Sequence, residues 1–331
     1  MNVFRKFLIP ANVLLLISIG CATGAFASSS TSSDVAPVPS LAQLDQILAK
    51  SIKQSNLPAD LVPSLLKISE YQDIQGSSYL HNSCDPYLKN GEALNPVPCW
   101  YGSVTARRTV VIFGDSFVGN WIPALNIAGQ KLGFRVAEFS FPGCPTTFSR
   151  PGLPIKGFDQ NEINACVNFH KNLPKAVNKI NPFAVIAANG EGSWGAAGNR
   201  DFVTILGNTF DELSTATNHP IRILLGTGPH FSKAAPSCLA SHPNNINLCN
   251  LSYTSGSAFS TALARDNAAI SGASVHLITT YKWICLNGVC PAVIGNIDVY
   301  ADTDHLTIAI SKFLSVILEK TLAPLLNISV P

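Results

Sequence analysis

The sequence predicts an α/β fold: a doubly wound, five-stranded parallel sheet with helices on both faces, in three α/β/α layers. From residue 109 onward, short apolar runs alternate with longer stretches of helical periodicity, a pattern typical of βαβ units. The strand-like runs are 110–113, 136–140, 183–188, 221–226 and 275–279, and the helical stretches are 119–133, 160–179, 200–218, 256–272 and 307–325. This region of roughly 220 residues has the size of one α/β domain.

The N-terminal residues have the features of an export signal. Arg5 and Lys6 precede a largely apolar run over 7–19, and Ala25-Phe-Ala27 offers the small residues of a cleavage site. We therefore expect cleavage near Ala27 and a periplasmic or extracellular location. No later segment has some twenty uninterrupted apolar residues, so the mature chain is not expected to span a membrane.

The remaining chain divides into a tether and a domain. Residues 28–40 are rich in Ser, Thr and Pro, a composition with little to bury, and a short helix is predicted from residue 41. We expect residues 28–56 to be a flexible tether and 57–331 to be one domain, with an N-terminal extension over 57–108 and the α/β core over 109–325.

Loss of Cys21 with the signal would leave eight cysteines, an even number that favours four disulfides in an exported chain. Sequential pairing is the simplest of the 105 possible arrangements, since each pair then closes a short loop. The pairs would be Cys84 with Cys99, Cys144 with Cys166, Cys238 with Cys249, and Cys285 with Cys290. Metal binding is the alternative, but no further Cys or His cluster accompanies the last pair, so no metal is expected.

The charge pattern narrows the choice of partner. The net charge is +2 and only 13% of residues are charged. No basic run with interleaved aromatic residues is present, which argues against nucleic acid. A surface rich in Asn, Ser and Thr suits an uncharged polymer such as a glycan.

The stretch from Thr109 to Asn120 places a serine where a nucleophile is useful. Ser116 lies between a buried strand and an amphipathic helix, at the carboxyl edge of the predicted sheet, beside backbone N–H groups that favour negative charge. The alternative is that Ser116 only caps the helix. Asp115 is expected to stabilise the turn through bonds to the backbone.

A base for this serine is found near the end of the chain. Asp302 and His305 are three residues apart, so the carboxylate can hold one imidazole nitrogen while the other faces a hydroxyl. His230, which also follows a predicted strand, is the rival base. Asp304 is the alternative acid, although its position beside His305 predicts that it faces solvent.

These motifs, taken in order, resemble the SGNH (GDSL-like) hydrolases, in particular the periplasmic or extracellular SGNH domains fused to acyltransferase family 3 membrane proteins. The motifs are Cys99-Trp-Tyr-Gly102, Gly114-Asp-Ser116, Phe141-Pro-Gly-Cys-Pro145 and Val299-Tyr-Ala-Asp-Thr-Asp-His-Leu-Thr307. The resemblance covers residues 57–325 and implies a flavodoxin-like sheet with a Ser116–His305–Asp302 triad. It implies no metal or organic cofactor.

The resemblance also indicates the donors of an oxyanion hole. They would be the N–H of Ser116, the N–H of Gly143 and the side chain of Asn189, which follows the third strand. The sequence around Asn189 departs from the family's Gly-x-Asn-Asp pattern, so Asn189 has the alternative role of a turn residue. Trp194 would then line the substrate pocket.

The expected activity is that of an exported serine esterase or O-acyltransferase. Its substrates would be acyl esters, most simply acetyl esters, of cell-envelope or extracellular glycans, and a membrane acyltransferase could supply the acyl group. Two alternatives stay open: a lipase or thioesterase that acts on longer acyl chains, and a non-catalytic glycan-binding accessory protein.

Overall fold

The computed structural model describes residues 36–69, 96–147, 158–190, 199–215, 217–254 and 257–329. Residues 34–331 form one compact unit. The predicted export signal, Cys84 and Trp194 lie outside the described residues.

A six-stranded mixed sheet forms the centre of this unit. Its strands are β1 (Cys99–Gly102), β2 (Thr109–Gly114), β3 (Arg135–Ser140), β4 (Ala184–Ala188), β5 (Ile221–Leu225) and β7 (His276–Ile278). The two-residue strand β6 (Leu251–Ser252) lies between β5 and β7 in the chain and is not part of this sheet. The order is β1-β3-β2-β4-β5-β7. Strands β2, β3, β4, β5 and β7 are parallel, whereas β1 pairs antiparallel with β3. The five predicted strands and the α/β class are confirmed, and β1 is an additional edge strand.

Helices cover both faces of the sheet. They are α1 (Leu41–Ser51), α2 (Leu65–Ser69), α3 (Val118–Leu132), α4 (Gln160–Ile180), α5 (Asn199–Glu212), α6 (Ala235–Ser241), α7 (Ala258–Gly272), α8 (Ile308–Phe313) and α9 (Ser315–Leu325). Short 3₁₀ turns occur at Ile246–Cys249 and Thr280–Trp283, and two small hairpins pair β6 with β8 (Val289–Cys290) and β9 (Val293–Ile294) with β10 (Ile297–Asp298). The single helix predicted at 307–325 is thus two helices that meet at Leu314.

Two hydrophobic cores lie on opposite faces of the sheet, as the alternation of side chains along a strand requires. Val110 and Ile112 of β2 belong to the core beneath α1, α3, α8 and α9. Val111 and Phe113 belong to the core beneath α4, α5 and α7. Because β2 is buried on both sides, its sequence is a continuous apolar run rather than an alternating one.

The N-terminal segment packs on this framework from Val38 onward. Leu44 and Leu48 of α1 are fully buried in the first core. The N–H of Val38 donates to the carbonyl of Phe313 (2.9 Å), and the N–H of Gly295 donates to Ser51 Oγ (2.9 Å). The sequence analysis assigned residues 28–56 to a flexible tether. In the structure, the chain from Val38 onward is instead packed against the rest of the unit.

Three described disulfides fasten the loops. They join Cys144 to Cys166, Cys238 to Cys249, and Cys285 to Cys290, which are three of the four sequential pairs. Cys99 is also disulfide-bonded, and its predicted partner Cys84 lies outside the described residues. Within the described ranges, no helix combines the length and apolarity needed to cross a bilayer.

The strand order creates a crevice at one edge of the sheet. The chain passes from β2 to β3 on one side and returns to β4 on the other. In such a sheet, ligands bind where this reversal occurs, outside the carboxyl ends of the strands. Here that point lies between β2, which ends at Gly114, and β4, which ends at Ala188.

Candidate active site

The turn after β2 requires a glycine. Gly114 has φ +147°, and a Cβ built on it would lie 1.8 Å from the carbonyl oxygen of Ala188. The absence of a side chain allows β2 and β4 to remain in contact at the point where the chain leaves the sheet. This approach fixes the start of the segment that carries Ser116.

Asp115 joins the ends of β2 and β4. Its buried carboxylate accepts the N–H of Phe117 through Oδ1 (2.9 Å) and the N–H of Gly190 through Oδ2 (2.8 Å). The first bond is the turn contact expected from the sequence. The second reaches 75 residues along the chain and fixes the loop that contains Asn189.

Ser116 lies at the carboxyl edge of the sheet with its hydroxyl directed to an imidazole. Its Oγ is 2.7 Å from His305 Nε2. The N-cap position of α3 is held by Phe117 and no side chain caps that helix, so the helix-cap alternative does not describe this serine. The Phe117 ring lies beside the imidazole, with centroids 5.3 Å apart.

Asp302 orients His305 through three hydrogen bonds. Its Oδ1 accepts the backbone N–H groups of Asp304 (2.9 Å) and His305 (2.8 Å), and its Oδ2 is 2.7 Å from His305 Nδ1. Because an ionised carboxylate only accepts hydrogen bonds, Nδ1 carries a proton, and in the neutral ring Nε2 offers its lone pair to Ser116. This is the arrangement of a serine activated by a neutral histidine.

The local charges favour a protonated imidazole. Burial opposes that charge, but the hydrogen bond and negative charge of Asp302, together with the charges of Asp304 and Asp115, outweigh it and raise the pKa of His305. Burial acts to raise the pKa of Asp302 as well, yet His305 and the two backbone donors hold it well below its ordinary value. The surroundings of His305 therefore stabilise a positive charge on its ring.

The prediction that Asp304 faces solvent is wrong. Its side chain is only 22% exposed and lies between two histidines: Oδ1 is 3.2 Å from His305 Nδ1, and Oδ2 is 2.9 Å from His230 Nδ1. The loop after β5 brings His230 to this carboxylate. The prediction considered only that Asp304 is next to His305 in the sequence, which does not reveal a contact with a residue 74 positions away. His230, the rival base, thus contacts Asp304, while His305 contacts the serine.

Gly143 lies in a tight turn immediately beyond β3. It has φ +75°, and the N–H of Cys144 closes the turn on the carbonyl of Phe141 (3.0 Å). The buried His170 supports this loop, because its Nε2 is 2.7 Å from the carbonyl oxygen of Pro145. Burial lowers the pKa of His170 to about 4, so the ring is neutral near pH 7 and donates one hydrogen bond. The Cys144–Cys166 disulfide ties the same loop to α4.

Asn189 directly follows β4 and is 2% exposed. Neither its amide nitrogen nor its amide oxygen has a hydrogen-bond partner among the described residues. Leaving a buried amide unpaired costs free energy, so such a group needs an explanation. The side chain borders a small cavity of about 10 Å³, room for about one water-sized group.

The cavity lies beside the triad. Its wall includes Phe117, which follows Ser116, and Asp304 and Leu306, which flank His305. Apolar side chains form much of the remaining wall; they include those of Trp121, Leu225 and Ile284. The cavity therefore offers a small, partly apolar space next to the candidate nucleophile.

A scan of protein-family models matches residues 83–320 to a family described as the SGNH domain (fused to AT3 domains). The chain belongs to this SGNH family. It is accordingly an enzyme of the ester-acting class, a hydrolase or an acyltransferase. A search of the curated proteins gives no match.

Three solved structures are similar to this chain to different degrees. The periplasmic domain of a lipopolysaccharide acetyltransferase from Salmonella ser. Paratyphi A aligns over 79% of this chain and 98% of its own, with 16% identity and a TM-score of 0.58. Est24, a carbohydrate acetylesterase from Sinorhizobium meliloti, and an aryl esterase from M. smegmatis each cover 66% of this chain and 99% of their own, at 15% identity, with TM-scores of 0.43 and 0.42.

Sequence reasoning missed one residue and one contact of this SGNH domain. Asn120 is buried in α3 and its Oδ1 accepts the N–H of Leu306 (2.8 Å), which holds the backbone next to His305. A polar residue on the apolar face of a helix was the available signal. The contact between Asp304 and His230 joins positions 74 residues apart, and no pattern in the sequence indicates it.

Proposed function

We propose that this SGNH domain is an exported serine esterase or O-acyltransferase that acts on short acyl esters of glycans. The observation that carries the proposal is the pair of 2.7 Å contacts that link Ser116 Oγ to His305 Nε2 and His305 Nδ1 to Asp302. A serine bonded to a base that a third group orients is the typical arrangement of an activated nucleophile. A non-catalytic protein of the same fold has no need to keep it.

In the first half of the reaction, Ser116 Oγ attacks the ester carbonyl carbon and its proton passes to His305 Nε2. Asp302 stabilises the resulting imidazolium. The tetrahedral intermediate collapses, the C–O bond to the alcohol breaks, and the alcohol leaves with the proton from His305. An acyl group is then bound to Ser116 Oγ.

In the second half, an oxygen nucleophile attacks the acyl-enzyme while His305 Nε2 takes its proton. Water as the nucleophile gives a free acid, and a sugar hydroxyl gives a transferred ester. The proton then returns to Ser116 Oγ as the bond to the acyl group breaks. The same residues thus serve both hydrolysis and transfer, and the nucleophile that reaches the site decides between them.

We assign the oxyanion to the N–H groups of Ser116 and Gly143 and to the side chain of Asn189. The buried amide of Asn189 has no hydrogen-bond partner among the described residues, and this supports the assignment, because a donor that is free in the resting state needs no rearrangement when charge develops. A simple turn role gives no reason for burying an amide that lacks such a partner.

The cavity supports a short acyl group. It is small, and its wall includes the apolar side chains of Trp121, Leu225 and Ile284, which suit the end of a short acyl chain. Acetyl esters are therefore the substrates that we propose, whereas a lipase that acts on long chains would use a larger apolar groove.

The proposed glycan substrate and the proposed export of the protein are supported by different observations. The Salmonella domain that shares this fold is described as part of a lipopolysaccharide acetyltransferase, and the family is described as fused to AT3 domains. We infer an O-acylated envelope or extracellular glycan as substrate and, for the transfer reaction, a membrane acyltransferase as acyl donor. The disulfides favour an oxidising compartment outside the cytosol.

The experiment is an assay of acetate release from a panel of acetylated glycans, together with 4-nitrophenyl esters of increasing acyl length. Ser116→Ala and His305→Ala should each lower turnover by orders of magnitude, and the double variant should be little worse, since the two residues act as a unit. Turnover should fall steeply beyond the acetyl ester. Equal activity of Ser116→Ala and the unaltered protein would refute the proposal, and a preference for long chains would favour the lipase.

A further inference from the structure

A second histidine is held beside the triad by the carboxylate of Asp304. His230 Nδ1 is 2.9 Å from Asp304 Oδ2, and the other oxygen of the same carboxylate is 3.2 Å from His305 Nδ1. One carboxylate therefore contacts both imidazoles. The reaction derived above uses His305 and leaves His230 without a role.

The loop that carries His230 is fastened to the triad on its C-terminal side. The N–H of Phe231 donates to the carbonyl of Thr303 (2.7 Å), and the N–H of Ala235 donates to the carbonyl of Asp302 (3.2 Å). These bonds hold the two residues that directly precede Asp304. His230 is thus held against the segment that orients His305, rather than carried on a loop that only passes nearby.

The beginning of the same loop is anchored in the protein interior. The N–H of Gly226 donates to the carbonyl of Ile278 (2.8 Å), and the N–H of Thr227 donates to the carboxylate of Asp266 (2.7 Å), which is buried. The other oxygen of this carboxylate lies 3.6 Å from Nη2 of the buried Arg265, so an ion pair supports the anchor. The position of His230 is therefore specified from both ends of its loop.

The ring of His230 remains open to a ligand. Asp304 accepts the proton of Nδ1, so in the neutral ring Nε2 bears a lone pair that can accept a hydrogen bond. The side chain is 52% exposed, and the structure records no second hydrogen-bond partner for it within the described ranges. An imidazole that is oriented by a carboxylate and open on its other side is typical of a binding group.

We propose that His230 binds a free hydroxyl of the alcohol part of the substrate, next to the ester oxygen, and that Asp304 is its positioning residue. The substrate class is then a polyol ester such as a partly acetylated sugar, in which a hydroxyl neighbours the ester. Esters of simple alcohols and phenols lack this hydroxyl. The inference rests on the proposed function, because it places the alcohol beside Ser116.

The test compares two acetyl esters: a methyl glycoside monoacetate with a free neighbouring hydroxyl, and 4-nitrophenyl acetate. His230→Ala should lower the ratio of their kcat/KM values about tenfold, the effect of one lost hydrogen bond. The loss should be mainly a higher KM for the sugar ester, because the hydroxyl is bound in the ground state as well. The matched control is His276→Ala, an exposed histidine at the amino end of β7, which should keep the ratio.

A deoxy substrate makes the test specific. The glycoside acetate that lacks the neighbouring hydroxyl should already show the tenfold loss with the unaltered protein, and His230→Ala should add little to it. A ratio within twofold of the unaltered protein in a folded His230→Ala variant would overturn the inference. Equal loss of kcat on both esters would also overturn it, since His230 would then act through His305. Failure of the proposed function is separate, because it would appear as undiminished activity of Ser116→Ala on both esters.

Discussion

At the scale of single residues, two carboxylates approach the same imidazole nitrogen and have unequal tasks. Asp302 is closer to His305 Nδ1 (2.7 Å against 3.2 Å for Asp304), and it also accepts two backbone N–H groups of its own loop. The fixed orientation identifies Asp302 as the acid of the proposed triad. Asp304 contributes mainly its negative charge.

Asp304→Asn should therefore shift the pH dependence of the reaction. Its negative charge helps to raise the pKa of His305, and removal of that charge destabilises the imidazolium and lowers the pKa. His305 must be neutral to accept the serine proton, so in Asp304→Asn the acid limb of kcat/KM against pH should move to lower pH. Asp302→Asn should instead abolish most activity, because it disturbs the tautomer of His305. The measurement is a pH profile with 4-nitrophenyl acetate, and an acid limb that stays in place or moves to higher pH contradicts the assignment.

The variant Asn189→Ala tests whether Asn189 is an oxyanion donor or only a turn residue. Loss of a donor should reduce kcat by about 10²–10³-fold with little change in KM, because the bond strengthens only in the transition state. Stability should be kept or slightly increased, since the amide has no partner among the described residues. A few-fold effect on kcat in steady-state assays would remove Asn189 from the site and leave the two backbone donors.

At the scale of elements, the contact between the ends of β2 and β4 depends on the missing side chain of Gly114. Gly114→Ala should destabilise the fold by about 2 kcal/mol or more, because a Cβ there meets the carbonyl of Ala188 at 1.8 Å. Gly133→Ala is the matched control: it also has positive φ (+72°), but no atom lies within 4 Å of its Cβ, so about 1 kcal/mol is expected. Urea unfolding of both variants makes the comparison, and equal losses would show that backbone conformation alone matters.

The strands and helices also show which parts of the fold could be predicted from the sequence. Continuous apolar runs such as Val110–Phe113 define buried parallel strands, and each of the five was identified because its local composition decides its structure. The edge strand Cys99–Gly102 was not predicted as a strand, since its short, half-exposed sequence has no strong preference of its own and is held by pairing with β3. Helix α1 was assigned to a tether for the same reason: its burial depends on distant residues.

In the candidate site too, features carried by local sequence could be predicted and features that depend on distant contacts could not. Ser116, Asp302 and His305 could be named because short motifs carry them, and the structure brings the three together. The bonds from Asp115 to Gly190 and from Asp304 to His230 join residues more than 70 positions apart. Such contacts arise only from the packing of loops at the sheet edge, and local sequence does not encode them.

At the scale of the whole molecule, the buried His170 should make stability sensitive to acid. Its pKa is about 4 in the folded protein against 6.5 as the ordinary value, so between these values the unfolded chain binds a proton that the folded protein does not. Stability is therefore complete above about pH 6.5 and falls progressively toward pH 4, by about 3 kcal/mol from this residue.

Urea unfolding at pH 7, 5.5 and 4 measures this loss. His170→Gln can retain a donor to the loop but does not titrate, so its stability should fall less over this range than that of the unaltered protein. Identical pH dependence of the two proteins would show that His170 is not the responsible group. His276→Gln, at an exposed position of β7, serves as the control and should follow the unaltered protein.

The bond between Ser116 and His305 also bears on when activity can arise during synthesis. It spans 189 positions of the chain, and α3, which follows Ser116, packs on α8 and α9, which follow His305. A chain is made from its N-terminal end, so His305, α8 and α9 are made long after Ser116. Contacts between distant segments also form more slowly than local ones. Hydrolysis of an aryl acetate by newly made chains should consequently begin only after α8 and α9 have docked on α3, so its onset measures when these distant segments come together.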